Sequence, residues 1–139
     1  MKKRLIAAAM PILIIWFGFV FPSLSDQESD PIIAVSAKKA ADLIDKHSGS
    51  NGFTILDIRT PGEFQSGHLA NSIPIDFYSQ TFADQLNDLD KNKTYLVYCH
   101  TGNRSTKSLE LFKKLKFKKV YHMASGIGAW KSEGFTVVK

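Results

Sequence analysis

A chain of 139 residues with one cysteine and a formal charge of +5 has room for a single domain and cannot form an internal disulfide. The charge is uneven: residues 26–90 hold 4 Lys/Arg against 11 Asp/Glu, whereas residues 91–139 hold 11 against 2. The run Lys113, Lys114, Lys116, Lys118, Lys119 reads as a solvated helix face and the turn after it. Phe117 is the one aromatic inside the run, too few for a stacking platform, which argues against a nucleic-acid partner.

Met1-Lys2-Lys3-Arg4 precedes an uncharged, mostly apolar run from Leu5 to Phe21. A positive start and an apolar middle predict a secretory signal, with Ser23-Leu24-Ser25 as the small-residue cleavage stretch before Asp26. The run also reaches the length of a spanning helix, so residues 1–25 are read as a signal peptide or an N-terminal membrane anchor. In either case the remainder is exported to a periplasmic or extracytoplasmic compartment, and a membrane partner is expected only if the segment is retained. Without Lys2, Lys3 and Arg4 the charge falls to +2, from 15 basic and 13 acidic residues. A lone cysteine in an exported chain is a free thiol or an intermolecular partner.

Residues 26–31 form a polar linker, and residues 32–139 the domain. Ile32 to Val35 predicts a first strand. Ser36 caps a helix with Ala40, Leu43 and Ile44 inward, ending near His47. Phe53 to Ile58 is apolar enough for an inner parallel strand. Glu63-Phe64 begin a short helical turn after Thr60-Pro61-Gly62, and Ile73-Pro74-Ile75 is a brief strand whose proline marks an edge or an end. Phe82, Leu86 and Leu89 mark an amphipathic helix. Tyr95 to Tyr98 is the central strand, Val120 to His122 a further one, and Gly126 to Glu133 a last helix. Strands alternating with helices predict an α/β fold, a mostly parallel sheet of about five strands with helices on both faces.

The chemistry concentrates at residues 94–108. The central strand ends on Cys99, and a helix with a Leu109, Phe112, Leu115 stripe follows. Cys99 therefore lies at the carboxyl end of a strand and faces the amino end of a helix, the edge where open α/β sheets bind ligands. First-turn N–H groups have no helical partner and the dipole favours negative charge, so a thiolate is stabilised there. Gly102 and Arg104 suit a turn that holds an anion. Asp57 and Arg59 end a neighbouring strand at the same edge. A purely structural alternative has Asp57 capping a turn and Arg59 pairing with Glu63. His47, His68, His100 and His122 lack close metal-ligand spacing and Cys99 has no partner thiolate, so no metal is predicted. His68 reads as a hydrogen-bonded structural group, His100 as pointing outward, and Trp130 as core or pocket wall.

Cys99-x-x-x-x-Arg104 between a strand and a helix resembles the active-site loop of rhodanese-domain sulfurtransferases. Asp57-Ile58-Arg59 through Glu63-Phe64, Gly67-His68-Leu69 and Asn71-Ser72-Ile73 resembles the family's upstream signature. Gly126 to Val137, with Trp130 and Gly134, resembles its carboxyl-terminal one. Ser125 stands where a second glycine is usual, and Thr136 where proline is usual. The resemblance implies a rhodanese-like fold and a Cys99 nucleophile that carries sulfur as a persulfide. Backbone N–H groups of His100, Thr101, Gly102, Asn103, Arg104 and Ser105 would hold the sulfur's charge, Arg104 would orient the loop or the donor, and Asp57 and Arg59 would brace the loop. It further implies no cofactor, a small anionic sulfur donor such as thiosulfate, and a thiol or cyanide acceptor.

Two other readings share this fold. Phosphatases of the cell-cycle type and some arsenate reductases resemble Cys-x5-Arg, a longer loop that cradles a tetrahedral oxyanion. The four residues between Cys99 and Arg104 suit a single sulfur instead. A non-enzymatic rhodanese-like module that binds a protein or carries sulfur is the other alternative, and the presence of Cys99 argues against it.

Overall fold

A computed structural model of the protein describes residues 29–139. The segment read as a signal peptide or anchor lies outside the described residues. Five strands, β1 (Ile32–Val35), β2 (Phe53–Asp57), β3 (Ser72–Pro74), β4 (Thr94–Tyr98) and β5 (Lys119–Met123), form one sheet in the order β1-β5-β4-β2-β3. Every pairing in it is parallel. Helices α1 (Ala37–Lys46), α2 (Pro61–Gln65), α3 (Phe82–Asn87), α4 (Asn103–Lys114) and α5 (Gly126–Ser132) follow the strands in turn. The alternation read from the sequence thus gives the architecture it predicts, with β4 in the middle of the sheet.

Strand periodicity divides the core in two. Side chains of β4 alternate, so Tyr95, Val97 and Cys99 join Phe82, Leu86, Phe112 and Phe117 under α3 and α4. Leu96 and Tyr98 join Ala37, Ala40, Met123, Ile127 and Trp130 under α1 and α5. Cys99 continues the α4 side of this pattern and is 1% exposed.

Local chemistry sets the element ends. The Ser36 hydroxyl accepts from the Lys39 N–H at 3.1 Å, the cap expected for α1. Thr60 and Glu63 cap α2 reciprocally, each side chain accepting from the other residue's backbone N–H, which leaves Glu63 fixed on the first turn. Pro74 sits on β3, an edge strand, where its missing N–H is tolerated. The expected strands at Phe53–Ile58 and Ile73–Ile75 end and begin one residue earlier.

The stripe expected on α4 needs correction. Ser105, Ser108 and Phe112 are buried against the sheet, with Leu111 and Leu115 flanking them and Leu109 outside both core clusters. The helix starts at Asn103, and that start sets which positions face inward. Two serines at the first inward positions allow the amino end of α4 to approach β4 more closely than leucines would.

Tyr98, one residue before Cys99, ties the two central strands together. Its hydroxyl donates to Asp57 Oδ2 at 2.5 Å and accepts from the Leu69 N–H at 3.1 Å. Tyr98→Phe therefore leaves a buried carboxylate and a buried N–H each short of one bond. The variant is expected to lose about 1–3 kcal/mol, read as a lower denaturant midpoint at unchanged slope.

Candidate functional site

Cys99 is the first residue after β4, and the chain turns at once into α4. Gly102, in the left-handed region at φ +94°, donates its N–H to Cys99 Sγ at 3.1 Å. A side chain at position 102 is excluded twice: by that φ, and because a Cβ would meet the Ala124 carbonyl oxygen at 1.8 Å. Gly126, at φ +65°, makes the reciprocal approach, where a Cβ would meet the His100 carbonyl oxygen at 2.3 Å. The loop is pinned there by Ile127 N–H donating to the Cys99 carbonyl (2.9 Å) and Gly128 N–H to the His100 carbonyl (3.0 Å). The start of α5 is thus the floor of the loop.

These contacts account for the two motif departures. Ser125 has an ordinary right-handed helical backbone, so no glycine is required there. Thr136 contributes its carbonyl oxygen, which accepts from Trp130 Nε1 at 2.9 Å, and any residue supplies that atom.

Burial pushes the Cys99 thiol pKa up, but hydrogen bonding to Ser105 and the N–H groups of Ser105, Gly102 and Arg104 outweigh it. The net pKa lies below the ordinary thiol value. Of the loop residues expected to face the sulfur, Gly102, Arg104 and Ser105 act on it. His100, Thr101 and Asn103 are exposed on the rim, and His100 points outward as expected.

Arg104 does not reach into the loop. Its guanidinium forms a bidentate pair with Glu63, Nη1 to Oε2 at 2.6 Å and Nη2 to Oε1 at 2.7 Å, and lies 5.7 Å from the ring centre of the exposed Tyr78. The pair fastens the first turn of α4 to α2. Hydrogen bonding to Arg104 lowers the Glu63 pKa first, and the net effect takes it to about 2.

Glu63 is therefore the partner of Arg104, not of Arg59, which corrects the structural alternative drawn from sequence. Arg59 pairs with Asp57 instead: Nε to Oδ1 at 2.9 Å and Nη2 to Oδ2 at 2.6 Å, both residues buried. Asp57 also accepts from the Arg59 N–H at 3.0 Å, the turn-capping bond that alternative foresaw, while Arg59 Nη2 reaches the Gly67 carbonyl at 2.8 Å. Asp57 and Arg59 thus lie behind the loop and connect to it through Tyr98. His68 accords with its structural reading: Nδ1 lies 3.0 Å from the Phe64 carbonyl and the ring stacks on Phe64.

Sequence reasoning missed His122 as part of this arrangement. It is buried in β5 with Nε2 2.8 Å from Ser105 Oγ, which lies 3.5 Å from Cys99 Sγ. Its one available signal was its place at the end of a strand, next to the turn that floors the loop. Among the described residues, no group of three or more His, Cys, Asp or Glu is placed to hold a metal ion.

A model of the rhodanese-like domain family matches residues 36–133. A thiosulfate sulfurtransferase GlpE from Pseudomonas aeruginosa is 34% identical over 82 residues, 59% of this chain and 73% of that protein. The crystal structure of a rhodanese-related protein from Thermoplasma volcanium has a TM-score of 0.64 at 31% identity, covering 76% of this chain and 96% of that one. A rhodanese-like domain protein from Staphylococcus aureus has a TM-score of 0.60 at 27% identity, covering 76% and 98% respectively.

The Glu63–Arg104 pair has a pH signature. A depressed carboxylate pKa contributes stability above its unfolded value and loses it as pH falls through the folded one. Wild type is therefore expected to exceed Glu63→Gln by about 1–2 kcal/mol near neutral pH, solvent screening of the part-exposed pair included. The gap should close as pH falls from 4.5 towards about 2, measured by denaturant unfolding of both proteins across that range.

Proposed function

Because the chain belongs to the rhodanese-like domain family, we propose that it moves a sulfane sulfur from a small anionic donor to a thiol or cyanide acceptor through a persulfide on Cys99. The observation that carries this reading is Cys99 Sγ at the end of β4, accepting the Gly102 N–H inside a loop of four residues between cysteine and arginine.

The Cys99 thiolate attacks the outer sulfur of a donor such as thiosulfate. A sulfur–sulfur bond to Cys99 forms, the donor's own breaks, and sulfite leaves with the electron pair. The terminal persulfide sulfur is then negative and sits over the amino end of α4. There the loop N–H groups act on it as oxyanion-hole donors act on oxygen. An acceptor nucleophile, cyanide or a thiol, takes that sulfur and returns Cys99 to the thiolate. One transfer becomes two easier ones, and the steps need no cofactor.

Arg104 holds the loop shut through Glu63, so its charge acts on the sulfur at a distance and does not chelate the donor. This arrangement also disfavours the phosphatase and arsenate reductase readings. A guanidinium with both terminal nitrogens on a carboxylate cannot fork onto a tetrahedral oxyanion without breaking that pair. The basic start and the apolar Leu5–Phe21 run support a reaction outside the cytoplasm.

Cys99→Ser should abolish thiosulfate-dependent formation of thiocyanate while the protein stays folded, because serine keeps the volume but is far less nucleophilic. Inserting one residue between Cys99 and Arg104 should lower turnover by roughly 10²-fold or more, the scale of one lost oxyanion donor. Steady-state kinetics on the three proteins check both. A serine variant that still turns over, or an insertion that changes nothing, counts against the mechanism.

A further inference from the structure

His122 is a buried titratable group to which the sulfur-transfer steps above give no part. It lies on the α4 side of β5 beside Val120, with Val97 as its register partner on β4 and Ala34 on β1. Its ring contacts Ser105 Oγ through Nε2 at 2.8 Å. Ser105 has one hydroxyl proton and three neighbours for it: His122 Nε2, Cys99 Sγ at 3.5 Å and the Gly102 carbonyl at 3.1 Å.

The Gly102 carbonyl is already supplied. It accepts from the Thr106 N–H at 2.9 Å and from the Thr106 hydroxyl at 2.7 Å, one for each lone pair. The choice for the Ser105 proton is therefore between the imidazole and the sulfur. A thiolate has no proton to give. If Ser105 donated to His122, its own lone pairs would face the negative sulfur. If His122 donates to Ser105, the serine proton is free to turn onto Cys99.

We propose that His122 is a positioning residue for Cys99: its Nε2–H donates to Ser105 Oγ and thereby directs the Ser105 hydroxyl onto the thiolate. This rests on the reading of Cys99 as the nucleophile. A neutral imidazole carries one N–H, so the thiolate form of the site selects the tautomer protonated at Nε2. Desolvation lowers the His122 pKa, which keeps the ring neutral and the tautomer choice meaningful at neutral pH. The elements against the ring, α4 and strands β1 and β4, bring Ser105 to it and, through Ser105, Cys99. Of the charged residues in the first turns of α4, Arg104 is paired with Glu63 and Lys107 is exposed. The titration that matters here is that of Cys99.

The relay also explains why the first inward position of α4 is a serine. Alanine would fill the same space against β4 but would leave both Nε2 and Sγ without the hydroxyl between them.

Two measurements on the full chain test this without a sulfur donor. The first is the pH dependence of Cys99 alkylation by iodoacetamide in wild type, Ser105→Ala, His122→Phe, His122→Gln and the Ser105→Ala/His122→Phe double variant. His122→Phe should raise the midpoint by about one pH unit, the scale of one hydrogen bond to a charged group. His122→Gln, which offers an amide N–H in place of Nε2–H, should stay near wild type. In the Ser105→Ala background, His122→Phe should add nothing. The second is the ¹⁵N spectrum of the His122 ring in the unmutated protein, which should show Nε2 protonated above the Cys99 midpoint. An unchanged midpoint in His122→Phe, an equal shift with Ser105 already removed, or an unprotonated Nε2 over the thiolate overturns the proposal. If His122→Phe fails to fold, the glutamine variant, Ser105→Ala and the spectrum decide it. A domain that never accepts sulfur from thiosulfate would leave these readouts intact, so the two claims fail separately.

Discussion

The hydrogen bond from the Gly102 N–H to the Cys99 sulfur is the contact on which the rest of the site depends. To make it, the chain must reverse within three residues of Cys99, and only a left-handed residue without a Cβ fits against the Ala124 carbonyl. The same reversal aims the first turn of α4 at the sulfur. Helix dipole, free N–H groups and the Ser105 hydroxyl then act together on one atom, against the burial that favours the neutral thiol. Together the donors in contact outweigh the desolvation of a buried sulfur.

Two ion pairs hold that geometry from opposite sides, and they differ in character. Asp57–Arg59 is buried, and its carboxylate is bonded from Arg59 side chain, Arg59 backbone and Tyr98 hydroxyl. Buried pairs seldom add much net stability, but removing one partner strands a charge at a cost of about 3–5 kcal/mol. This pair thus fixes how β2 and β4 end relative to each other. Glu63–Arg104 is part-exposed and joins α2 to α4 over the mouth of the loop, where it sets helix position at a small energy. The first supports the strand that carries Cys99, and the second the helix that faces it.

The division between what was legible in the sequence and what was not follows contact range. The apolar run ending at Cys99, the glycine three residues on, the Ser36 cap and the edge proline at 74 are local signals, and local chemistry decides them. The partner of Arg104 was not legible, because Glu63 is 41 positions away and meets it only once β2 and β4 lie side by side. The same holds for Tyr98 on Asp57 and for His122 on Ser105. The misplaced Leu109 stripe has another cause. Two helical registers of α4 offer apolar residues at the right spacing, and the loop anchored at Cys99 chooses the one that brings serines inward.

The central claim is that this loop takes a single sulfur on Cys99. The direct measurement is the intact and peptide mass of the protein after exposure to thiosulfate, before and after cyanide is added. The account predicts a gain of one sulfur atom on the peptide containing Cys99, lost again on cyanide. A folded protein whose Cys99 stays a free thiol under excess thiosulfate would contradict it.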